Sequence, residues 1–427
     1  MGPGTAEPGP DLGSVGGAGA TGPAPAAVAA LSEEDHRHLA RAVALGRRGW
    51  GRVHPNPMVG CVLVRDGQVV GEGWHEEWGG GHAEVNALAA AGAGGARGAT
   101  AYVSLEPCRH EGKTPPCTRA LQEAGVRRVV YGARDPGERS GGGGLELVRA
   151  GMEVVGPVFD QAKALRENPG FFHRNPARPW ICLKLAISLD GAIAAEEGER
   201  TAVTGPEVAR EVHRLRAGMD AVLVGGRTAQ VDDPLLTVRL GGVEPRVPPV
   251  RVVLDGRGVL PVGARLLAAE DGPVHIITTA AAPRAWQEAL VAREARVTVV
   301  PGRDGRVSLP SALHVLRAEG IRTLLCEGGG RMAAALLHAN VVDRLHLAMA
   351  PRFFGQTGVP AFPWPLGSPM APWTGSDHRR SAFSRAPGRH RRTRGTPRDA
   401  WEHLEPPRML GKDLWMILER KPDLEEE

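Results

Sequence analysis

Cysteine is scarce in this 427-residue sequence, which contains only five, at positions 61, 108, 117, 182 and 326. So few cysteines, and an odd number of them, exclude the disulfide framework of a small secreted domain and favour reduced thiols. No apolar run approaches the roughly 20 residues that span a bilayer. The first residues lack the basic and apolar regions of a signal peptide. We therefore expect a cytoplasmic protein with no membrane partner.

The excess of positive over negative charge comes from one stretch of the chain. The formal net charge is +4, but eight arginines lie between residues 379 and 398, so the rest of the chain is net acidic. This distribution gives no support to a protein-wide field for nucleic acid. We expect residues 361–406 to be a disordered basic insertion, with a phosphate or nucleic-acid patch as the alternative. Residues 1–30, dominated by Gly, Pro and Ala, are expected to be a disordered extension.

The remaining chain is long enough for two domains. Strand and helix patterns alternate from residue 31 to 175 and again from 176 onward, with a proline-rich break between them, which predicts two layered α/β domains. The patterns predict strands at 59–64, 68–72, 100–105, 127–131, 181–187, 221–224, 250–254, 274–277, 323–326 and 414–418. They predict helices that start near Ser32, His82, Pro116, Pro206 and Met332.

Metal-binding residue types cluster in the first half. His82, Cys108 and Cys117 offer one nitrogen and two sulfurs, which suit Zn²⁺, and a catalytic zinc keeps its fourth position for water. Glu84 stands two residues after His82, as expected of a base that moves protons beside the metal without binding it. This set of residues is typical of zinc nucleobase deaminases, although the gap of eight residues between the cysteines is longer than in their general signature. Asn56, between two prolines, could face a ligand or serve only as a turn residue.

The second half offers weaker signals. Glu327-Gly-Gly-Gly330 joins a predicted strand to an apolar helix, a turn that lets backbone N–H groups approach a phosphate. No G-x-G-x-x-G follows the first strand of this half, so the common dinucleotide fingerprint is absent. The stretch 228–239 is rich in polar groups, and its two aspartates could bind a metal, act in acid–base chemistry or simply cap a turn.

Residues 33–360 resemble the bifunctional riboflavin-biosynthesis deaminase/reductase family. In the first half the resemblance is carried by His54–Cys61, Gly73–His75, His82–Leu88 and Leu105–Cys117, including the long cysteine gap. In the second half it is carried by Lys184–Gly191, Thr228–Arg239 and Glu327–Gly330. The resemblance implies a cytidine-deaminase-like three-layer domain over 31–175 and a dihydrofolate-reductase-like α/β domain over 176–427.

The same resemblance implies the chemistry. The first domain would hydrolyse a ring amino group of a diaminopyrimidinone ribosylamino 5′-phosphate with Zn²⁺, and the second would reduce the ribosyl chain with NADPH. Glu84 would be catalytic. Substrate-binding positions would be Asn56, His75, His110, Lys113 and Thr114 in the first domain and Arg216, Leu236, Arg239 and Glu327 in the second. Cofactor-binding positions would be Ala186, Thr228, Asp232, Gly329, Gly330, Arg331, Met332, Ala333, Ala334 and Ala335.

The sequence departs from the family before the Pro206 helix, where Ala202-Val-Thr204 stands in place of a Trp-Ile-Thr-like triplet. Two alternatives therefore stay open: a deaminase that acts on nucleic acid, with the arginine run as a docking tail, and a deaminase whose reductase half is not catalytic. The family also leads us to expect a homo-oligomer and a small-molecule substrate, with nucleic acid not expected as a partner.

Overall fold

The computed structural model describes residues 31–111, 115–239, 245–268, 272–362 and 401–420. Within these ranges the chain forms two successive α/β units, each around its own main sheet. The strands of the first unit are β1 (Gly60–Arg65), β2 (Gln68–Trp74), β3 (Thr100–Leu105), β4 (Arg128–Ala133) and β5 (Glu153–Val155). Its helices are α1 (Glu33–Gly46), α2 (Ala83–Ala91), α3 (Cys117–Glu123), α4 (Gly143–Arg149), α5 (Gln161–Glu167) and α6 (Pro169–Phe172).

The first sheet has the strand order β2-β1-β3-β4-β5, with β3, β4 and β5 parallel and β1 antiparallel to both of its neighbours. Asp66 and Gly67 have φ values of 54° and 74°, the left-handed conformation that a two-residue hairpin turn requires. One face of the sheet packs against α1, and the other packs against α2, α3 and α4. The central strands are buried on both faces, which explains their continuous apolar runs.

The second sheet has ten strands in the order β11-β10-β9-β8-β14-β6-β15-β19-β17, with β18 paired to β19. Its strands are β6 (Trp180–Ser188), β8 (Ala221–Gly225), β9 (Val250–Leu254), β10 (Val274–Thr278), β11 (Arg296–Val299), β14 (Thr323–Cys326), β15 (Arg344–Ala350), β17 (Trp401–His403), β18 (Arg408–Leu410) and β19 (Asp413–Arg420). The helices are α7 (Pro206–Ala217), α8 (Gly226–Asp232), α9 (Arg265–Ala268), α10 (Arg284–Val291), α11 (Leu309–Ala318) and α12 (Gly330–His338). Four short strands form two small antiparallel sheets: β7 (Ala192–Ala194) pairs with β16 (Val359–Pro360), and β12 (Gly302–Arg303) pairs with β13 (Arg306–Val307).

The neighbouring strands β11, β10, β9, β8, β14, β6 and β15 are all parallel. A hydrophobic core covers each face of this sheet. In such a sheet the loops at the carboxyl ends of the strands form the ligand-binding edge. The two α/β units confirm the predicted fold class. No helix in the described ranges is long and apolar enough to cross a membrane.

One predicted segment needs correction. We expected residues 361–406 to be a disordered insertion, but Trp401–His403 form β17, which pairs with β19, and Ala361 is buried in the core. Both ends of that stretch therefore belong to the fold. At the second end, β17 pairs with an edge of β19 that would otherwise be free. The arginine run and the extension at residues 1–30 lie outside the described residues.

Candidate active sites

Three side chains with metal-binding atoms meet where α2 and α3 begin. His82 is the N-cap residue of α2, Cys117 is the first residue of α3, and Cys108 lies in the loop after β3. Nδ1 of His82 lies 3.3 Å from Sγ of Cys117 and 3.5 Å from Sγ of Cys108. The three ligand atoms all lie within 4.8 Å of one another, and this is the one such group among the described residues.

This geometry fits zinc. Zn–N and Zn–S bonds of roughly 2.0–2.3 Å in a tetrahedron place ligand atoms about 3.3–3.8 Å apart, and both imidazole–sulfur distances fall in that range. One imidazole and two thiols leave a fourth position for another ligand. The chain therefore brings together the donor set of a catalytic zinc site.

The electrostatics of the cluster also favour a cation. A hydrogen bond from the Cys117 thiol, with a further one from His82, lowers the pKa of Cys108 to about 4. The same bond to Cys108 raises the pKa of Cys117, so the two sulfurs share one proton. Hydrogen bonding to Cys108 raises the pKa of His82. A thiolate is thus favoured in the cluster, and a bound metal ion would displace the remaining protons.

Glu84 lies in the first turn of α2 and is 3 % exposed. Its carboxylate contacts the Cys117 thiol, which places it beside the metal-binding atoms. Burial raises the pKa of Glu84 to about 7. A carboxyl group with a pKa near neutrality can both accept and release a proton at physiological pH.

Asn56 and His75 form a pair beside this cluster. Nδ1 of His75 lies 3.0 Å from the carbonyl oxygen of Gly81 and therefore carries the proton, which leaves Nε2 as an acceptor for the Asn56 amide nitrogen at 3.1 Å. Burial lowers the pKa of His75, which keeps the ring neutral. Because the amide nitrogen of Asn56 is bonded to His75, the amide oxygen is the group that Asn56 can offer to a ligand as an acceptor. The Asn56 side chain is thus oriented as a ligand-binding residue would be.

The other predicted positions of the first site are only partly visible. His110 lies two residues after Cys108, and its Nδ1 is buried without a hydrogen-bond partner in the described structure. An unsatisfied buried nitrogen is a position at which a ligand would find a partner. Lys113 and Thr114 lie outside the described residues.

Sequence reasoning missed Glu106, which lies between β3 and Cys108 and is 5 % exposed. Its carboxylate accepts hydrogen bonds from the backbone N–H groups of Asp135 at 3.1 Å and Gly144 at 3.0 Å. Glu106 thereby ties the loop that carries Cys108 to the start of α4. The available signal was a carboxylate next to a metal ligand at the end of an apolar strand.

The second candidate site lies at the carboxyl ends of the neighbouring strands β8 and β14. Each strand leads through a glycine turn into a helix, since Gly225 is the N-cap of α8 and Gly329 is the N-cap of α12. The backbone N–H of Gly329 donates to Oγ1 of Thr228 at 3.1 Å, which joins the two turns. Backbone N–H groups at helix starts favour the phosphates of a nucleotide, so this edge fits a phosphate-bearing cofactor.

A buried ion pair lies beside this edge. Nε and Nη2 of Arg216, at the end of α7, lie 2.5 and 2.8 Å from the two carboxylate oxygens of Glu327. The third arginine contact is the carbonyl oxygen of Thr237 at 2.8 Å. Burial works to raise the pKa of Glu327, but the charges of Arg216 and Lys184 outweigh it and keep that pKa below its usual value. Lys184, on β6, is a site residue that the sequence analysis used only as a motif position.

The remaining predicted residues of the second site differ in exposure. Nη1 of Arg239 donates to Oγ1 of Thr237 at 2.8 Å, near the Arg216 contact. Asp232 ends α8, and burial raises its pKa. Among the other predicted positions, Leu236, Ala333 and Ala334 are buried. Ala186, Met332 and Ala335 are half-buried. At the start of α12, Gly330 is buried, Gly329 is half-buried and Arg331 is exposed.

Two family models match the chain in the order expected from the two sites. Residues 32–133 match the cytidine and deoxycytidylate deaminase zinc-binding region. Residues 179–368 match the RibD C-terminal domain. The second match disfavours a deaminase that acts alone on nucleic acid, because such an enzyme has no use for this domain.

Similar proteins cover most of the chain. The riboflavin biosynthesis protein RibD of Escherichia coli is 40% identical over 336 residues, which are 75% of this chain and 89% of that protein. The RibD protein of Aquifex aeolicus is 39% identical over 328 residues, 76% of this chain and 89% of its own length.

Solved structures agree. RibD of Acinetobacter baumannii superposes with a TM-score of 0.70 and 32% identity over 91% of this chain and 99% of that one. A diaminohydroxyphosphoribosylaminopyrimidine deaminase/5-amino-6-(5-phosphoribosylamino)uracil reductase from Thermotoga maritima superposes with a TM-score of 0.69 and 30% identity, again over 91% and 99%. The chain therefore belongs to the RibD family of bifunctional riboflavin-biosynthesis enzymes, with a deaminase domain followed by a reductase domain.

Proposed function

We propose that the deaminase domain hydrolyses the ring amino group of a diaminopyrimidinone ribosylamino 5′-phosphate, and that the reductase domain then reduces the ribosyl chain of the product to ribityl with NADPH. The observation that carries the first step is the cluster of His82, Cys108 and Cys117 with the buried carboxylate of Glu84 beside it. When bound there, zinc supplies a Lewis acid and a nucleophilic water at neutral pH.

Glu84 moves the protons of the deamination. Its carboxylate takes a proton from the attacking water as the new carbon–oxygen bond forms, and it returns that proton to the amino group as the carbon–nitrogen bond breaks and ammonia leaves. The short link from His82 through one residue to Glu84 holds both groups on the first turn of α2. No other side chain of this site needs to change its protonation state.

Asn56, His75 and His110 bind the pyrimidine in this proposal. The free amide oxygen of Asn56 accepts a hydrogen bond from an amino group of the ring, because its amide nitrogen already faces His75. His110 uses its unpaired ring nitrogen for the substrate. Lys113 and Thr114 are proposed for the substrate phosphate on the family resemblance.

In the reductase domain the turns after β8 and β14 hold the cofactor. We assign the nucleotide to Thr228, Gly329, Gly330 and the start of α12, with Asp232 at the end of α8. NADPH, when bound, supplies the hydride. Arg239 and Arg216 face the substrate phosphate and sugar, and a planar guanidinium suits a phosphate. Lys184 is a further cation of this region, and its charge acts on Glu327.

The test is Glu84→Gln in the full-length protein, because glutamine keeps the shape of the side chain but cannot accept a proton. We expect ammonia release to fall by about 10²- to 10⁴-fold, as for loss of a general acid–base group, with zinc still bound and reduction of the deaminated substrate unchanged. Glu76→Gln, an exposed glutamate before the same helix, is the matched control and should behave as the native protein. Persistent ammonia release in Glu84→Gln would contradict the proposed role.

A further inference from the structure

The loop that carries Asn56 in the deaminase domain is held by residues of the reductase domain. The indole N–H of Trp50 donates to the carbonyl oxygen of Arg214, near the end of α7, at 2.7 Å. The indole ring lies directly over Gly218, where an added Cβ would be only 2.0 Å from the ring. Trp50, at the beginning of the loop, therefore packs against Gly218 at a distance that leaves no room for a larger residue.

Arg246 contacts the same loop at two points and also contacts Trp78, which is bonded to the loop. Its backbone N–H donates to the carbonyl oxygen of Gly51 at 3.0 Å, and its Nη1 donates to that of His54 at 2.9 Å. Its guanidinium also lies 3.9 Å from the ring centroid of Trp78, whose backbone N–H donates to Arg52. One arginine of the reductase domain thus bridges both ends of the turn that precedes Asn56.

Asp220 provides a further anchor. Its Oδ1 lies 3.0 Å from Nδ1 of His54, two residues before Asn56. Its Oδ2 accepts from the backbone N–H groups of Arg322 at 2.7 Å and Thr323 at 2.9 Å, next to β14. The carboxylate is 8 % exposed and fixed by the sheet, so it presents a rigid partner to the loop.

We propose that Arg246 and Asp220 of the reductase domain are positioning residues for the deamination reaction. They hold residues 50–56 so that Asn56 stays against His75 and faces the pyrimidine. This inference rests on the proposed role of Asn56. A ligand-binding amide gains affinity when its loop is already in place, because less freedom is lost on binding. The domain docking itself has other supports that do not involve residues 50–56, since Arg166 pairs with Glu402 and Glu419.

The experiment compares Arg246→Met with Arg166→Met in the full-length protein. Loss of one bridging hydrogen bond is expected to raise KM for the diaminopyrimidine phosphate about three- to tenfold while kcat for ammonia release and the zinc content stay the same. Arg166→Met also removes an interdomain arginine side chain, which pairs with Glu402 and Glu419 rather than with residues 50–56, and should leave KM unchanged. An equal rise in both variants would show a general loss of docking and would overturn the proposal.

A double variant separates positioning from a merely structural effect. If Arg246 acts through Asn56, then Asn56→Ala combined with Arg246→Met should have the KM of Asn56→Ala alone, whereas independent effects would multiply and refute the proposal. A normal KM for Asn56→Ala alone would contradict the proposed function of that residue, and the positioning role with it. A raised KM for Asn56→Ala with a normal KM for Arg246→Met would contradict the positioning role only.

Folding of each variant is verified by zinc content and by NADPH oxidation on the deaminated substrate. If Arg246→Met fails either criterion, Arg246→Lys replaces it, because lysine keeps the charge but cannot contact His54 and stack on Trp78 together. Its KM should lie between those of the native protein and Asn56→Ala. A native KM for Arg246→Lys would count against the inference.

Discussion

Replacing Glu327 by glutamine should strongly destabilise the reductase domain, because this glutamate neutralises two cations at once. It forms a two-point ion pair with Arg216, and the charge of Lys184 also acts on it. The side chains of Arg216 and Glu327 are 10 and 13 % exposed, so water screens the pair only weakly. Glutamine keeps the size of the side chain and removes the charge that Arg216 needs.

Removing one partner of a buried ion pair costs about 3–5 kcal/mol, and the slight exposure of this pair favours the lower end. For a domain of this size, about 3 kcal/mol corresponds to a fall in melting temperature of about 6–12 °C. The assay is thermal unfolding of the full-length protein, with the reductase transition identified as the one that NADPH raises. Glu288→Gln, which breaks the exposed pair with Arg284, should shift that transition by less than about 2 °C. The reasoning is refuted if Glu327→Gln melts like Glu288→Gln.

Two further results are expected. Thr228→Val removes the hydroxyl that accepts from Gly329 N–H and should raise KM for NADPH about three- to tenfold without affecting ammonia release, as cofactor titrations would measure; an unchanged KM would argue against the assigned nucleotide edge. Burial lowers the pKa of His346 to about 3, so the unfolded chain binds this proton more tightly and stability should fall as pH drops from about 6.5 towards 3. In His346→Phe, urea unfolding at several pH values should show a weaker fall over that interval; an identical slope would contradict this assignment.

Local sequence signals were enough for much of the fold. The first helix was predicted to start near Ser32, and the Ser32 hydroxyl accepts from Asp35 N–H in a capping box. The predicted strands at 59–64 and 68–72 also match β1 and β2 to within two residues, because turn chemistry and burial patterns are properties of a few neighbouring residues. The metal-binding residues could be found because their types and spacing are rare in combination.

Contacts between distant residues could not be predicted in this way. The partnership of Arg216 with Glu327 joins positions 111 residues apart, and the resemblance had assigned both of them to the substrate. Glu106 looked like part of a motif until its two backbone donors were known. Trp401–His403 carry no strong strand pattern of their own, since the free edge of β19 determines their conformation.

The same limit applies to the contacts between the Asn56 loop and the reductase domain. From the sequence, Asn56 was as consistent with a simple turn as with a ligand contact. The structure adds His75 beside Asn56, and it adds Arg246 of the reductase domain against His54, two residues earlier.

The most direct test of the central claim is a comparison of both activities in one preparation before and after chelation of the metal. We predict one zinc per chain as purified. With zinc bound, ammonia and NADP⁺ should form in equal amounts from the diaminopyrimidine phosphate. After chelation, ammonia release should stop and return on adding zinc, while NADPH oxidation with the deaminated substrate continues throughout. Protein without stoichiometric metal, or ammonia release that survives chelation, would contradict the assignment of His82, Cys108 and Cys117 as a catalytic zinc site.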